Sequence, residues 1–272
     1  MFDSNKITAK ELVEKSKIPL LVKEQPYEIF IEYAVQMISE ITENNKIGKK
    51  TVFIIPCGPV EQYPVFARLV NQLKIDLKNT WIIHMDEYIT ESEELISEND
   101  QFSFRKCMNE CLYSLIDSNL VMPPKQRIFP NPKNLNDIPA LIERLGGVDI
   151  AFGGVALNGH IAFNEPQPDM DADEYSLLST RIVTLSTETR VKDAILSRGG
   201  AVDTVPKKAI TIGMKEILAA KKIRLSMMLD MQRSVIRKAC IGEISAACPV
   251  SLIQNHQNAL LMVTKNVTEK PF

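Results

Sequence analysis

One imidazole and one carboxylate, His160 and Glu165, stand five residues apart within Gly153-Gly154-Val155-Ala156-Leu157-Asn158-Gly159-His160-Ile161-Ala162-Phe163-Asn164-Glu165-Pro166. Such a pair can pass a proton between its members or between two oxygens of a bound substrate. The glycines of the stretch tolerate positive φ and let backbone approach a ligand closely. Upstream, Val148-Asp149-Ile150-Ala151-Phe152 reads as a buried parallel strand, so the pair falls at a strand's C-terminal mouth, where open α/β sheets hold ligands. A third candidate, Asp86, follows the strand-like run Thr80-Trp81-Ile82-Ile83-His84 in the same way, with Glu87 and Tyr88 behind it. On spacing alone, the first place is equally well a turn whose histidine is merely hydrogen-bonded, and an acidic pair is usually a solvated turn. His84 lies inside the strand pattern and reads as a packed histidine. Finally, Thr51-Val52-Phe53-Ile54-Ile55 ends in Pro56-Cys57-Gly58-Pro59-Val60-Glu61 before an apolar helix from about Gln62 to Leu73. That order lets a loop and a helix N-terminus hold a phosphate.

Residues 159–166, Gly-His-Ile-Ala-Phe-Asn-Glu-Pro, resemble the signature of the glucosamine-6-phosphate deaminase (isomerase) family. A second block of that family, His-Met-Asp-Glu-Tyr, stands at residues 84–88, and the similarity runs in order from about residue 50 to about residue 265. The resemblance implies conversion of an amino-sugar phosphate, glucosamine 6-phosphate or a close analogue, to a keto-sugar phosphate with loss of ammonia. It makes Asp86 the general base that carries a proton between C2 and C1 through an enediol-type intermediate. His160, supported by Glu165, would move the protons that open the ring. Neither a metal nor a redox cofactor is needed, because the carbonyl itself acidifies the neighbouring C–H. For the substrate the resemblance points to Cys57, Gly58 and Val60 in the loop that binds the 6-phosphate, to Glu87 beside the base, and to Arg190, whose guanidinium fork suits a phosphate. Arg233 stands where relatives carry a phosphate-binding lysine.

Several positions depart from the family pattern. Asn158 replaces an aspartate that pairs with the histidine; an amide can orient an imidazole by hydrogen bonding but cannot stabilise imidazolium by charge, so weaker proton transfer is expected. Cys57 replaces a hydroxyl residue, Pro59 lacks an N–H, and Glu61 brings negative charge near the expected anion. Asp230 replaces a glycine. Arg181 matches an effector-site residue of allosteric members, but Val183 stands for its lysine partner, so regulation of that type is not expected. Two alternatives stay in view. One is a hydrolase like the related 6-phosphogluconolactonases, whose motif resembles Gly-His-Thr; the other is a non-catalytic sugar-phosphate-binding protein, motivated by Asn158 and Pro59.

To hold these residues along one edge, strands must alternate with helices, and the pattern does so along nearly the whole chain. The reading is a single α/β domain over 1–272, with a mainly parallel, Rossmann-like sheet flanked by helices. Residues 1–48 form a helical lead-in. Its helices span 8–16 and 26–44, the second with Pro26 at its start and Tyr27, Phe30, Ile31, Ala34, Val35 and Ile38 on one face, and a short strand over 19–22 lies between them. No helix-turn-helix stands in this head, which therefore offers no DNA reader. Gln101–Phe104 open a helix to about Leu115, Arg127–Phe129 are a short strand, and Asn134 caps a helix ended by Gly146-Gly147. The polar, acidic residues 167–178 suit a mobile lid. Strands follow over 179–185, 209–214, 222–229 and 258–263, with a capped helix start at Thr187. Met227, Met228 and Met231 read as core filler, and His256 as structural.

With 272 residues and 45% hydrophobic content the chain can build a real core. Its 32 basic and 34 acidic residues leave a formal charge of −2, so there is no basic field for nucleic acid and any anion site must be local. The head lacks the apolar core of a signal peptide, and no run of 18 apolar residues occurs, so a soluble, cytoplasmic protein without a membrane partner is expected. Five cysteines without a Cys-x-x-Cys pair argue for reduced thiols, and Cys107 and Cys111, one helical turn apart with no histidine nearby, read as core packing. No Gly-x-Gly-x-x-Gly occurs, so no nucleotide cofactor is implied. The partner these residues imply is a small-molecule sugar phosphate, with a homo-oligomer left open.

Overall fold

The computed structural model describes residues 4–272; the first three residues, part of the head read above as lacking a leader, lie outside the described residues. Helix α1 (Ala9–Lys15) starts at a capping box, in which Thr8 Oγ1 accepts from the Glu11 amide and the Glu11 carboxylate accepts from the Thr8 amide. Strand β1 (Leu20–Lys23) leads to α2 (Pro26–Lys46), with proline at the position where a missing N–H costs nothing. The face expected of α2 holds only in part, at Ala34, which is buried, and Ile38, which packs against the core. The helix buries Ile29, Tyr33, Ala34, Met37 and Ile41, whereas Tyr27, Ile31 and Val35 are exposed. Two apolar stripes share this helix, and the one carrying Tyr33 lies on the sheet. Its ring packs edge-on to Phe152, and its hydroxyl donates to Gly153 O at 2.7 Å and Arg224 O at 3.2 Å.

Strand β2 (Thr51–Ile55), α3 (Gln62–Leu73) and β3 (Thr80–His84) have the bounds read from the sequence, and every residue of β2 is buried. Directly after Met85 the chain enters β4 (Asp86–Ile89), a strand of a second sheet where a turn was expected. Helix α4 (Phe104–Cys111) is shorter than expected; Ser103 Oγ accepts from the Lys106 amide at its start, and a single 3-10 turn, Tyr113–Leu115, follows it. Past β5 (Arg127–Ile128), α5 (Asp137–Arg144) begins after Asn136. Asn134 is not its cap. Its side chain accepts from the Asn131 amide and donates to Phe129 O, which folds the preceding turn instead. Then come β6 (Ile150–Gly154), α6 (Ala172–Ser176), β7 (Arg181–Thr184), α7 (Thr187–Ser197), β8 (Lys208–Thr211), α8 (Met214–Leu218), β9 (Lys222–Met227), α9 (Arg233–Ile241), β10 (Ala259–Thr264) and α10 (Lys265–Thr268).

In space the main sheet runs β1-β10-β9-β6-β2-β3-β5, and all of its pairings are parallel. Period-two alternation divides β2 between two core layers: Val52 and Ile54 pack on one face with Leu225 and Ile236, Phe53 and Ile55 on the other with Tyr33 and Phe66. A small antiparallel sheet, β4-β8-β7, stands beside it over a third cluster around Tyr88, Phe102, Phe163 and Leu185. From β2 the chain winds to β3 and β5 on one side; from β6 it passes through the small sheet to β9 and β10 on the other, where β1, first in the chain, lies at the edge. The crevice at this switch point, between the C-terminal ends of β2 and β6, is where such sheets bind ligands.

Candidate active site

A cavity of about 550 Å³ opens there. Asp86 and His160 both line it, so carboxyl and imidazole open into one cavity. The turn after β2 presses on the end of β6: a Cβ on Gly154 would lie 3.2 Å from Gly58 O and 3.3 Å from Pro59 Cδ. Gly159, at φ +90°, sets up the next residue, and a Cβ on it would also meet Cys248 Sγ at 3.1 Å.

His160 is held through one side of its ring. Nδ1 lies 3.3 Å from Glu165 Oε2 and 3.4 Å from Thr189 Oγ1, which leaves Nε2 for the cavity. Glu165 is itself fixed, since Oε2 accepts from Asn158 Nδ2 at 2.8 Å and Oε1 accepts from the Ser186 amide at 3.1 Å. Burial pushes this carboxyl up, but the bond to His160 and its charge, with Thr189 and the Ser186 amide, outweigh it and hold the group at about 2. Ionised Glu165 accepts from Nδ1–H, so the network assigns the neutral ring's lone pair to Nε2. This corrects the expectation for Asn158, which does not orient the ring. Its Oδ1 accepts from the His160 backbone amide at 3.2 Å and its amide braces Glu165. The negative charge opposite the imidazole comes from Glu165.

Asp86 sits at the seam where β3 passes into β4. Burial, then the charges of Glu87 and Asp193, push its carboxyl up to about 8 against the pull of Lys192. Asp193 has both oxygens engaged, one by Lys192 Nζ at 2.7 Å and the other by the Tyr88 hydroxyl at 2.7 Å. Glu87 is not a substrate group. It is fully buried, is not part of the cavity wall, and accepts from the Tyr88, Phe104 and Arg105 amides and from Arg105 Nε at 2.9–3.1 Å. It clamps the N-terminus of α4 onto β4.

No protein-family model matches the chain. It is 30% identical over 245 residues to the glucosamine-6-phosphate deaminase of Colwellia psychrerythraea, covering 88% of this chain and 85% of that protein. The chain belongs to the glucosamine-6-phosphate deaminase family. A second relative in that family, from Lachnoclostridium phytofermentans, is 32% identical over 204 residues, 73% of this chain and 79% of its own. Among solved structures, a monomeric glucosamine-6-phosphate deaminase superposes with a TM-score of 0.79 at 26% identity, over 92% of this chain and 98% of that one. The 6-phosphogluconolactonase of Plasmodium vivax shares the fold, with a TM-score of 0.66 at 15% identity over 94% and 95% of the two chains.

In this member of the glucosamine-6-phosphate deaminase family the expected anion groups are not gathered at the cavity. Cys57 and Gly58 line it, but Val60 does not, and the Val60 amide donates to Glu61 Oε2 at 3.0 Å. Arg190 donates to Val202 O at 3.1 Å and lies off the cavity wall. Arg233 donates to Asp230 at 3.2 Å and to Asn266, away from the wall. On α7 the residues turned to the site are Thr189, Lys192, Asp193, Leu196 and Ser197; Arg190 stands a turn before Asp193, and its guanidinium is drawn aside to Val202 O. At the start of α9 the inward residue is Gln232, whose amide donates to Val155 O while its oxygen accepts from the Met228 and Leu229 amides at 2.6 and 2.7 Å. Lys192, Asp193, Thr189 and Gln232 were missed by sequence reasoning, although the 3–4 spacing of the first three was there to find.

Other expectations divide. His84 is packed as read, stacked on Phe129 at 3.7 Å and bonded to the Tyr113 hydroxyl at 2.7 Å, with burial pulling its pKa down to about 3. His256 bonds Ala220 O at 2.7 Å. Of the three methionines, Met227 is core, Met228 packs against the core and also lines the cavity, and Met231 lines the cavity and is exposed. Cys107 also lines it rather than filling the core. Residues 167–178 do not form a lid over the cavity: Tyr175 is fully buried and donates to Asn164 O and Glu165 O at 2.7 and 2.8 Å, and the Gln167 amide is bonded to Ala246 O. Arg181 donates to Asn164 Oδ1 at 2.8 Å. Among the described residues no group of three or more His, Cys, Asp or Glu is placed to hold a metal ion, and no helix is long and apolar enough to cross a membrane.

Proposed function

We propose that this chain isomerises and deaminates an amino-sugar phosphate, glucosamine 6-phosphate or a close analogue, giving a keto-sugar phosphate and ammonia. The observation that carries the reading is the meeting of Asp86 with the His160–Glu165 pair on one cavity. His160 Nε2 takes the proton of the anomeric hydroxyl and returns it to the ring oxygen, which opens the ring, while Glu165 stabilises the imidazolium formed on the way. Ionised Asp86 then removes the C2 proton while the C2 ammonium passes one of its own to O1, giving a neutral enol-amine, and Asp86 delivers its proton to C1. The C2 centre is left as a protonated imine; water adds to it, ammonia leaves, and the ketose remains. Burial makes Asp86 a stronger base than an ordinary carboxylate, which suits abstraction from carbon. Asn158 acts through Glu165 as a positioning residue. The setting we infer is the cytoplasm, where a phosphorylated sugar is retained by its charge.

The test is a panel of amino-sugar phosphates and plain aldose phosphates assayed for ammonia and ketose phosphate. Glucosamine 6-phosphate or a near isomer is expected to yield both in equal amounts, and Asp86→Asn to lower kcat by about ten thousandfold. Absence of turnover across the whole panel overturns the reading.

A further inference from the structure

We infer that Cys57 and Cys107 are joined in a reversible disulfide when a hydroperoxide enters the cavity, and that this bond shuts the site. Both residues line the cavity, Cys57 from the turn after β2 and Cys107 from α4, and both are free and only half-buried in the resting chain. Their sulfurs meet, since Cys107 takes hydrogen bonds from the thiols of Cys111 and Cys57. Cys111 is the poorer partner. It is not part of the cavity wall, and side chains four apart on one helix tilt the same way, so bridging Cys107 to Cys111 would require the backbone of α4 to move. Cys240 and Cys248 are no rivals, because both are buried and burial pushes their thiols up to about 12 and about 11.

Two thiol donors on one sulfur favour its thiolate, so the bonds from Cys111 and Cys57 hold Cys107 below the usual thiol range, while the bond to Cys107 and burial push Cys57 up. Cys107 is therefore the nucleophile and Cys57 the resolving thiol. The Cys107 thiolate attacks one peroxide oxygen; an S–O bond forms, the O–O bond breaks, and the leaving oxygen takes a proton from solvent. The Cys57 sulfur then attacks Cys107; the S–S bond forms, the S–O bond breaks, and the departing hydroxide takes the Cys57 proton as water. The thiols have given two electrons to the peroxide, which is reduced. A disulfide brings its sulfurs to about 2 Å, closer than two thiols can stand, so the turn of residues 56–61 is drawn toward α4. That turn borders the base, for the charge of Asp86 acts on the Cys57 sulfur, and Gly58 and Pro59 press on Gly154 at the end of β6. The loss of turnover rests on the functional reading above; the cross-link does not.

The parent chain and its Cys57→Ser, Cys107→Ser and Cys111→Ser variants, treated with hydrogen peroxide and digested for mass spectrometry, test this. Activity on glucosamine 6-phosphate is read in each protein before treatment, after it, and again after dithiothreitol. In the parent, the peptides carrying Cys57 and Cys107 should join with loss of two hydrogens, and kcat/KM should fall by about a hundredfold, as expected when a segment bordering the reacting groups is displaced. Dithiothreitol should reverse both changes. Cys111→Ser should still cross-link, Cys57→Ser should stop at a Cys107 sulfenic acid that dimedone traps, and Cys107→Ser should leave Cys57 reduced. A parent that stays reduced, that joins Cys107 to Cys111 instead, or that cross-links without losing activity overturns the inference. If no sugar phosphate is turned over before treatment, the functional reading fails on its own, and the peptide masses of the parent still decide the cross-link without need of any variant.

Discussion

At the scale of single residues, the site depends on which oxygen faces the imidazole. Glu165 Oε2 lies between His160 Nδ1 at 3.3 Å and Asn158 Nδ2 at 2.8 Å, so one carboxylate takes both contacts. Replacing it by glutamine removes the negative charge held against the ring, and kcat should fall by about a hundred- to a thousandfold with less change in KM. Asn158→Asp, by contrast, should bring no gain. It would set a second carboxylate within 2.8 Å of the first, and two such groups share one proton rather than both ionising. A higher kcat in Asn158→Asp, measured by ammonia release, would count against this geometry. The octapeptide's likeness to the family signature made His160 and Glu165 legible, since their spacing alone fits a hydrogen-bonded turn equally well. The exchange of partners at Asn158 was not legible: a residue's type does not say which of two neighbours its amide will reach.

Secondary-structure elements explain most of what was and was not readable. β2 and β3 were found to the residue because a central parallel strand is buried on both faces, and a short β-branched run between polar ends has no other good home. Helix faces fared worse. α2 carries two apolar stripes at helical spacing, and only the tertiary contact of Tyr33 with β6 and β9 selects between them. α7 set the same trap, since family likeness drew attention to Arg190, whereas it is Lys192 and Asp193 that line the cavity. Glu87 shows an element held by one side chain. It looked like half of an acidic pair on a turn, yet it is fully buried and accepts three backbone amides and a guanidinium. Glu87→Ala strands those donors and should cost about 3–5 kcal/mol of stability in urea unfolding. It should also loosen α4, whose Phe104 and Cys107 form part of the cavity wall, so KM should rise at temperatures where the variant is still folded. Full stability in Glu87→Ala would show that the clamp is idle.

For the whole molecule, the two sheets meet where the chemistry is, and that junction sets a conflict between stability and activity. Asp86 passes directly from the end of the main sheet into the small one, and burial there, with Glu87 and Asp193 nearby, raises its carboxyl from an ordinary 3.8 to about 8. Between those values the folded chain holds a proton that the unfolded chain has lost, so this group's contribution to stability is fully present below about pH 4 and disappears as pH rises through about 8. Catalysis needs the opposite form. The base works only when ionised, so kcat/KM should climb with pH and level off above about 8, where the fold bears the buried charge. Comparison with Asp86→Asn isolates the effect, because every other titrating group is common to both proteins. The variant should melt several degrees above the parent at pH 9, converge with it near pH 4, and be inactive at both. Equal melting temperatures across that range would mean that the carboxyl is solvated in the folded chain, and the rise in kcat/KM should then move to the ordinary carboxylate range. Lys192 opposes the shift, so Lys192→Gln should push the same limb of the profile to higher pH, linking the cation on α7 to the base at the seam in one measurement.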